Sequence, residues 1–414
     1  MTGALDLLDR FIPGRVRAAA AEDAIDGVPM RAVAAPTTVD AVAKTLAWAN
    51  ESGEAVFPRG GGARLGWGRP PARSGIVLAL DGLASIIEHA WADLTVTAQA
   101  GVTLAALQAA LAERGQRLAL DPPWPAETTV GGLIAADDSG PLRFRFGGVR
   151  DLLLGVTVVR ADGIVARGGS KVVKNVAGYD LPKLFTGALG TLGVVVEATF
   201  RLHPLPRRET TLVYQTAAPT DLLLRVLRSR ASPVALSATI LGRAGRLLVR
   251  LAGSEAGVRD QVARVVDAAG APSDRLEGEL AATAWRDAVT LPWTGCEPAA
   301  VVRVSVLPSE IPALVAAAAA SGLPAAGIIH AHGLGCLRLE GEPEALHEAV
   351  GALRARLAPR DGTLVVLAAP QAVKARLDVW GIPPDVLPLM RRVREQFDPN
   401  AILNPGRLVP LDAA

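Results

Sequence analysis

Residues 57–68 read FPRGGGARLGWG, three consecutive glycines that follow an apolar run and have an arginine on each side. The preceding residues 37–53, TTVDAVAKTLAWANESG, predict an amphipathic helix, because apolar residues recur at helical spacing behind a threonine cap and a glycine ends the pattern. Residues 55–57 then predict a short strand. Consecutive peptide N–H groups after such a strand can enclose a diphosphate, although a plain surface turn explains the same residues equally well.

Two other phosphate-binding motifs do not fit the sequence. A dinucleotide fingerprint, G-x-G-x-x-G, fails because the sixth position counted from Gly60 is Leu65. A P-loop fails because residues 163–170, GIVARGGS, have Gly169 where the lysine belongs. The sequence therefore disfavours an NAD-linked dehydrogenase and a nucleotide triphosphatase.

The composition indicates a globular protein of two or three domains, since 50% of the 414 residues are apolar. A net charge of +2 gives no electrostatic case for nucleic-acid binding. Cys296 and Cys336 match neither a zinc site nor a disulfide framework, which favours a reducing cytosol. We expect no signal peptide, because the first residues are acidic rather than basic, and no spanning helix, because Ser321, Gly322 and Pro324 interrupt the most apolar stretch.

Several further segments combine glycines with short elements. Residues 127–140, ETTVGGLIAADDSG, predict a short helix that begins at a glycine pair, and residues 147–163 predict a strand whose hairpin partner is 164–167. Residues 171–193 predict a short helix among glycines, and the alternation in 194–202 predicts a half-buried strand. Repeated loops with little side-chain bulk imply a long ligand that lies against the backbone.

The order PRGGGARLGWG, TTVGGLIAADDSGPLRFRFGGVRDLLLGVTVVRADG, KNVAGYDLPKLFTGALGTLGV and FDPNAILNPGRL resembles the vanillyl-alcohol-oxidase type of FAD-linked oxidase. Within it, GPLRFRFGGVRD and KVVKNVAGYD resemble the FAD-binding E subunit of bacterial glycolate oxidase. The resemblance implies an α+β protein in which residues 1–27 are an N-terminal segment and 28–206 a PCMH-type FAD-binding domain of two α/β subdomains. An α+β cap domain with an antiparallel sheet follows over 207–388, and the tail 389–414 returns to the flavin domain.

The resemblance also implies which residues contact non-covalent FAD. They are Pro58, Arg59, Gly60, Gly61, Gly62, Ala63, Arg64, Gly66, Thr128, Thr129, Val130, Gly131, Gly132, Ala135, Ala136, Ser139, Gly190, Thr191, Gly193, Val194 and Asn404. Relatives that attach the flavin covalently do so through a histidine after the glycines, whereas Ala63 occupies that position here, so the flavin should dissociate. Arg59 and Arg64 are either anion contacts or solvated charges. We expect Gly61→Val to abolish flavin binding in a soluble chain.

The catalytic residues stay unassigned. Related 2-hydroxy-acid dehydrogenases have a G-D-G-N-x-H motif where residues 328–339 read IIHAHGLGCLRL, with Leu334, Cys336 and Arg338 in place of the acid, the amide and the histidine. His330 and His332 share one face of a predicted strand and are structural, a base near the flavin, or metal ligands that lack a third partner. We predict no metal site.

A substrate acid needs a cation for its carboxylate, and the candidates are Arg143, Arg145, Arg338 and Arg407. Asn404 and Arg407 either lie near the cofactor or anchor the tail. A self-contained enzyme would remove the α-hydroxyl proton and transfer a hydride to the flavin.

Two functions remain open. The chain is either an FAD-dependent dehydrogenase that oxidises glycolate or D-lactate, alone or in a complex, or an FAD-binding relay subunit beside a paralogous FAD-linked oxidase subunit. The electrons would go to a quinone or to an iron–sulfur subunit, because no CxxC cluster is present in this chain. We expect a cytoplasmic protein that can associate with the inner membrane through its partners.

Overall fold

The computed structural model describes residues 8–171, 179–242 and 244–408. Most of the predicted KVVKNVAGYD segment lies outside these residues. The first sheet has the strand order β1-β2-β4-β3. Its strands are β1 (Val16–Ala18), β2 (Ala32–Ala34), β3 (Val56–Arg59) and β4 (Ile76–Ala79).

The helix and strand before the glycine run form as predicted. Helix α1 (Val39–Ser52) begins where the Thr38 side chain accepts a hydrogen bond from the Ala41 amide, and it ends at Gly53 in the left-handed conformation. This helix connects β2 to β3, and both strands pair in parallel with β4. The glycine run therefore leaves the carboxyl end of β3.

The second sheet has the order β5-β6-β10-β8-β9 and is antiparallel. Its strands are β5 (Ile86–Ala90), β6 (Thr95–Gln99), β8 (Leu153–Val159), β9 (Val165–Gly169) and β10 (Val194–Arg201). Short helices accompany it, namely α2 (Leu104–Ala112), α3 (Val130–Ala136), α4 (Arg143–Phe146), α5 (Val149–Leu152) and α6 (Leu181–Phe185). A ribbon of β7 (Gln116–Arg117) and β11 (His203–Pro204) lies beside it.

Strand β10 corrects one expectation. The alternating pattern of residues 194–202 predicts a half-buried strand, but Val194 to Phe200 are buried except for Glu197. The strand is central in the sheet, and its side chains pack into two cores: Val196 belongs to the core of the first sheet and Phe200 to that of the second. A register shift between Val195 and Glu197 interrupts the simple alternation.

The third sheet has eight strands in the order β15-β12-β14-β13-β17-β18-β16-β19, and each adjacent pair is antiparallel. The strands are β12 (Arg208–Thr216), β13 (Ala235–Leu241), β14 (Ala244–Gly253), β15 (Asp274–Leu276), β16 (Ala299–Ser305), β17 (Ala325–His330), β18 (Leu334–Glu340) and β19 (Thr363–Ala368). This sheet confirms the α+β class and the antiparallel cap. The predicted boundary after residue 206 falls between β11 and β12.

Helices cover one face of the cap sheet and part of the other. They are α7 (Pro219–Leu227), α8 (Glu255–Ala269), α9 (Gly278–Thr290), α10 (Ile311–Ala320), α11 (Pro343–Leu357), α12 (Gln371–Lys374) and α13 (Leu387–Phe397). Four of these helices each contribute a buried side chain to the largest core, namely Leu223, Val265, Leu314 and Leu353. On the opposite face, Trp285 of α9 packs on the sheet, and the remaining area faces the glycine loops.

The tail returns to the first sheet, as predicted. The Val56 amide donates to the Ile402 carbonyl over 2.8 Å, and the Asn404 amide donates to the Val56 carbonyl over 2.9 Å. Ile402 and Leu403 are fully buried. Asn404 and Arg407 thereby lie beside the glycine run. No helix of the described residues has the length and apolarity needed to cross a lipid bilayer.

Candidate functional site

The glycine run packs directly against the loop that precedes α3. A Cβ atom on Gly60 would lie 2.1 Å from Thr129 Oγ1, and one on Gly61 would lie 1.9 Å from the Glu127 carbonyl oxygen. Gly62 has φ +83°, which side-chain-bearing residues rarely adopt. Glycine is therefore required here for the approach of two loops as well as for any ligand.

A concave cavity opens where these loops meet, and it encloses about 620 Å³ including its solvent-open part. We call it the glycine cavity. Its lining residues are Ile25, Pro58, Arg59, Gly60, Gly61, Gly62, Ala63, Arg64, Leu65, Glu127, Thr129, Gly132, Ala135, Ala136, Leu189, Asn404 and Arg407. Three separate predicted segments thus meet at one wall.

Other predicted FAD contacts do not line this cavity. Gly131, Val130, Val194, Thr191 and Gly193 are buried in the fold, where Gly131 packs on Ala100 and Gly193 on Phe185. A Cβ atom on Gly190 would lie 3.2 Å from Asn404 Nδ2 and 3.5 Å from Pro58 Cγ. Thr128 accepts a hydrogen bond from Arg64, the Gly66 carbonyl accepts one from Lys374, and Ser139 lines a neighbouring cavity.

The two arginines of the glycine run are held by carboxylates. Arg59 donates to Asp23 over 2.8 Å, and Arg17 donates to the same carboxylate over 2.6 Å. These hydrogen bonds, led by the one from Arg17, hold the pKa of Asp23 well below its usual range. Arg64 donates from Nε to Asp138 over 2.8 Å, and its side chain is only 7% exposed. Neither arginine is a freely solvated charge.

Arg407 and a lysine missed by the sequence analysis fix the loop after the glycines. Arg407 donates to the carbonyl oxygens of Leu65, Trp67 and Arg69. Burial lowers its pKa to about 10, so it stays charged at neutral pH. Lys374 of α12 donates to the Gly66 carbonyl over 2.6 Å and to Asp26. The guanidinium N–H groups of Arg407 therefore donate to backbone carbonyl oxygens, which counts against the predicted role of Arg407 in binding a substrate carboxylate.

A second cavity lies between the glycine loops and the cap sheet. Ile328, Cys336 and Arg303 stand directly opposite one another on β17, β18 and β16, so their side chains share one face. His330 follows Ile328 by two residues and lies on the same face. The space under this row encloses about 480 Å³, and we call it the cap cavity. Its further lining residues are Trp67, Pro123, Asp138, Ser139, Gly140, Val289, Trp293, Leu334, Gly335 and Leu367.

The two histidines occupy different elements. His330 ends β17, whereas His332 lies in the turn before β18, so the prediction of one strand face is wrong. Their rings still stack, with centroids 5.5 Å apart. Burial lowers the pKa of His330 to about 3 and that of His332 to about 4. Both rings are neutral at physiological pH.

The remaining arginine candidates differ in position. Arg338 donates to Glu340, Glu297 and the Cys296 carbonyl, and it lines neither cavity. Arg145 is exposed, and Arg143 donates to Ser139 at the rim of the cap cavity over 3.2 Å. Within the described ranges, no group of three His, Cys, Asp or Glu side chains could hold a metal ion.

Known proteins resemble this chain in part of its length. Residues 30–169 match a family described as FAD binding domain. The glycolate oxidase subunit GlcD of Bacillus subtilis (strain 168) is 37% identical over 44% of this chain and 39% of its own length. The glycolate oxidase subunit GlcE of Escherichia coli (strain K12) is 29% identical over 78% of this chain and 84% of its own length. The D-lactate dehydrogenase of Archaeoglobus fulgidus is 38% identical over 44% of this chain and 40% of its own length. The match thus spans less than half of GlcD and of the D-lactate dehydrogenase.

A solved structure of alkyldihydroxyacetonephosphate synthase has the same fold, with a TM-score of 0.75 over 98% of this chain and 85% of that chain. The sequence identity is 15%, so this likeness concerns the fold alone. The glycine cavity suits a dinucleotide, because the glycines and alanines in its wall let a ligand approach the backbone closely and two arginines lie beside them. Residues 30–169 thus match the FAD binding domain family, and the cofactor of this chain is FAD.

Proposed function

We propose that this chain is an oxidoreductase that binds FAD without a covalent bond and oxidises a small 2-hydroxy acid such as glycolate or D-lactate. The junction of the two cavities carries this proposal. Arg64 lines the glycine cavity, and Asp138, its ion-pair partner, lines the cap cavity. A cofactor in the first cavity and a substrate in the second would therefore lie on the two sides of this ion pair.

The roles of the chain's own residues follow from this arrangement. Bound FAD supplies a two-electron acceptor. The amides of the glycine run, with Thr129 and Gly132, would hold its diphosphate, while Asp23 orients Arg59. Trp67 and Trp293 stack with centroids 6.0 Å apart and would exclude water from the cap cavity.

We further propose that the chain works in a complex. The names of the relatives GlcD and GlcE, both glycolate oxidase subunits, support a paralogous FAD-linked subunit as a partner. An iron–sulfur subunit or a quinone would accept the electrons. Contact with the inner membrane would then depend on the partners.

A relay or assembly role is the second candidate. The observation that favours it is the chemistry of the histidines, because neutral rings with strongly lowered pKa values are weak bases. Burial also raises the pKa of the Cys336 thiol to about 12, so this residue offers no thiolate. In this case the paralogous subunit would perform the oxidation.

An anaerobic titration of the FAD-loaded chain separates the two candidates. Glycolate or D-lactate is added while the oxidised flavin absorption band is followed. We expect bleaching by at least one acid. A band that changes only after the partner subunits are added would assign the oxidation to them, and a purified chain that neither contains nor takes up FAD would refute both candidates.

A further inference from the structure

Arg303 is a cation in the cap cavity that lies over the Trp67 ring and is attracted electrostatically by Asp137. Arg303 of β16 is half-buried, and within residues 8–171, 179–242 and 244–408 it makes neither an ion pair nor a hydrogen bond. Its guanidinium carbon lies 6.0 Å from the centre of the Trp67 ring. Without a hydrogen bond, these contacts replace only part of the hydration that a partly buried guanidinium loses, and a ligand anion would replace the rest.

The neighbouring groups compensate this positive charge only in part. Asp138 lines the same cavity, but Arg64 neutralises its carboxylate. Asp137 does not line the cavity, and its carboxylate is shared between Arg303 and Arg143, whose guanidinium nitrogen lies 4.0 Å from Asp137 Oδ1. Burial raises the pKa of Asp137. Cys336 remains a neutral thiol. The cap cavity therefore favours a negatively charged ligand.

The hydrogen bond of His330 determines which ring nitrogen carries its proton. Nδ1 of His330 lies 2.8 Å from Ser237 Oγ, and both residues are buried. Among the described residues, His330 Nδ1 is the one hydrogen-bond partner of the Ser237 hydroxyl. A buried hydroxyl needs an acceptor for its hydrogen, so Ser237 donates to Nδ1. The neutral ring then carries its own hydrogen on Nε2. Because Nδ1 is occupied, Nε2 is the nitrogen available to a ligand, and it is a donor.

We propose that Arg303 and His330 together bind the carboxylate of the substrate acid in the cap cavity, with the Nε2–H of His330 as a hydrogen-bond donor rather than a base. The inference rests on the proposed function and specifies its substrate site. An arginine fork and one further N–H match the acceptor oxygens of a carboxylate. Sequence reasoning missed Arg303 because only the strand register places it beside residues 328–336.

The test measures binding of oxalate, a dicarboxylate without an oxidisable α-hydroxyl group, to the FAD-loaded chain. The flavin absorption spectrum and calorimetry report the Kd without turnover. We expect Arg303→Met to raise the Kd about 10- to 100-fold, and Arg303→Lys to raise it less, because the charge remains. Arg286→Met is the matched control, since Arg286 is an exposed arginine of the cap that pairs with Glu279. An unchanged Kd in both Arg303 variants would overturn the proposal.

A second comparison distinguishes a donor from a base. His330→Gln keeps an N–H donor, whereas His330→Leu removes it, so we expect a near-normal oxalate Kd in the first and a rise of about tenfold in the second. The rate constant of flavin reduction at saturating glycolate should fall less than tenfold in His330→Gln. A fall of about 100-fold or more would assign His330 as a general base and overturn the donor role.

The outcomes also separate this inference from the proposed function. If glycolate or D-lactate bleaches the wild-type flavin while the Arg303 and His330 variants bind oxalate normally, the function stands and the carboxylate site is wrong. If the wild type neither binds oxalate nor is reduced, both are wrong. Retained FAD and an unchanged circular dichroism spectrum establish that each variant is folded.

Discussion

At the scale of single residues, the glycines of the candidate FAD site are not equivalent. A side chain on Gly61 would collide with the Glu127 backbone oxygen, so Gly61→Val forces two loops apart. Gly61→Val is therefore expected to disturb the fold as well as flavin binding, so this variant does not test flavin binding alone. Gly132 differs, because a Cβ there would meet only Thr129 Oγ1, at 3.2 Å. Its substitution would fill the glycine cavity with little change elsewhere.

We expect Gly132→Val to lower the affinity for FAD at least tenfold, because the isopropyl group would occupy space beside the diphosphate-binding backbone. Gly257→Val is a close control: Gly257 also holds the third position of a helix, its amide donates to the Ser254 cap, and a Cβ would lie 3.1 Å from that hydroxyl. Both variants should lose about the same stability. Equal FAD affinity in the two, measured by fluorescence titration of the apoprotein, would contradict the assignment of Gly132 to the site.

At the scale of elements, start and stop signals explain which helices were predictable. Helix α1 has a threonine cap and a terminal glycine, and the analysis of the sequence locates it within two residues. Helix α9 is not among the predicted elements, and its N-cap residue, Glu277, makes no side-chain capping bond. The packing of Trp285 and Ala288 against the cap sheet stabilises this helix instead. Local signals thus identify helices that are stabilised locally.

The cap of α3 tests a single element in the same way. We expect Thr129→Ala to cost about 0.5–2 kcal/mol of unfolding free energy, because Thr129 accepts from the Gly132 amide, and to weaken FAD binding as well. Thr103→Ala removes the equivalent cap of α2, where Thr103 accepts from the Ala106 amide outside the cavity. Thermal unfolding with and without FAD should show a similar loss for both apoproteins, and a smaller FAD-induced stabilisation only for Thr129→Ala. An FAD effect that is equal in both variants would remove Thr129 from the site.

At the scale of the whole molecule, distant segments hold the loop that follows the glycine run. Lys374 of α12 is 2% exposed and bonds to Asp26 over 2.8 Å, which joins the region after the cap sheet to the first sheet. Arg407 of the tail contacts the same loop from another side. Because these cations satisfy buried carbonyl groups, the loop depends on chain segments more than 300 residues away.

We expect Lys374→Met to destabilise the protein by about 3–5 kcal/mol, since it leaves a mostly buried carboxylate without its partner. FAD affinity should also fall, because the Gly66 carbonyl loses its donor. Lys44→Met is the control: Lys44 pairs with Asp40 on the exposed face of α1, and its loss should cost less than about 1 kcal/mol. Urea denaturation gives both values. A loss below about 1 kcal/mol for Lys374→Met would show that this contact does not support the loop.

The sequence by itself determined the order of helix, strand and glycine run, because capping, periodicity and glycine content are local properties of the chain. Its motifs also implied the class of the fold and the FAD-binding segment through their resemblance to FAD-linked oxidases. Only the tertiary structure decided the outcome for the charged residues. Arg407 and Arg338 were candidates for the substrate, yet backbone carbonyls and carboxylates occupy their donors. Arg303 shows no local signal, because its role depends on Cys336 of a later strand, which becomes its neighbour through antiparallel pairing. Whether a cation inside the protein has hydrogen-bond acceptors depends on such long-range neighbours. For Arg303, the register of the cap sheet determines which residues are its neighbours.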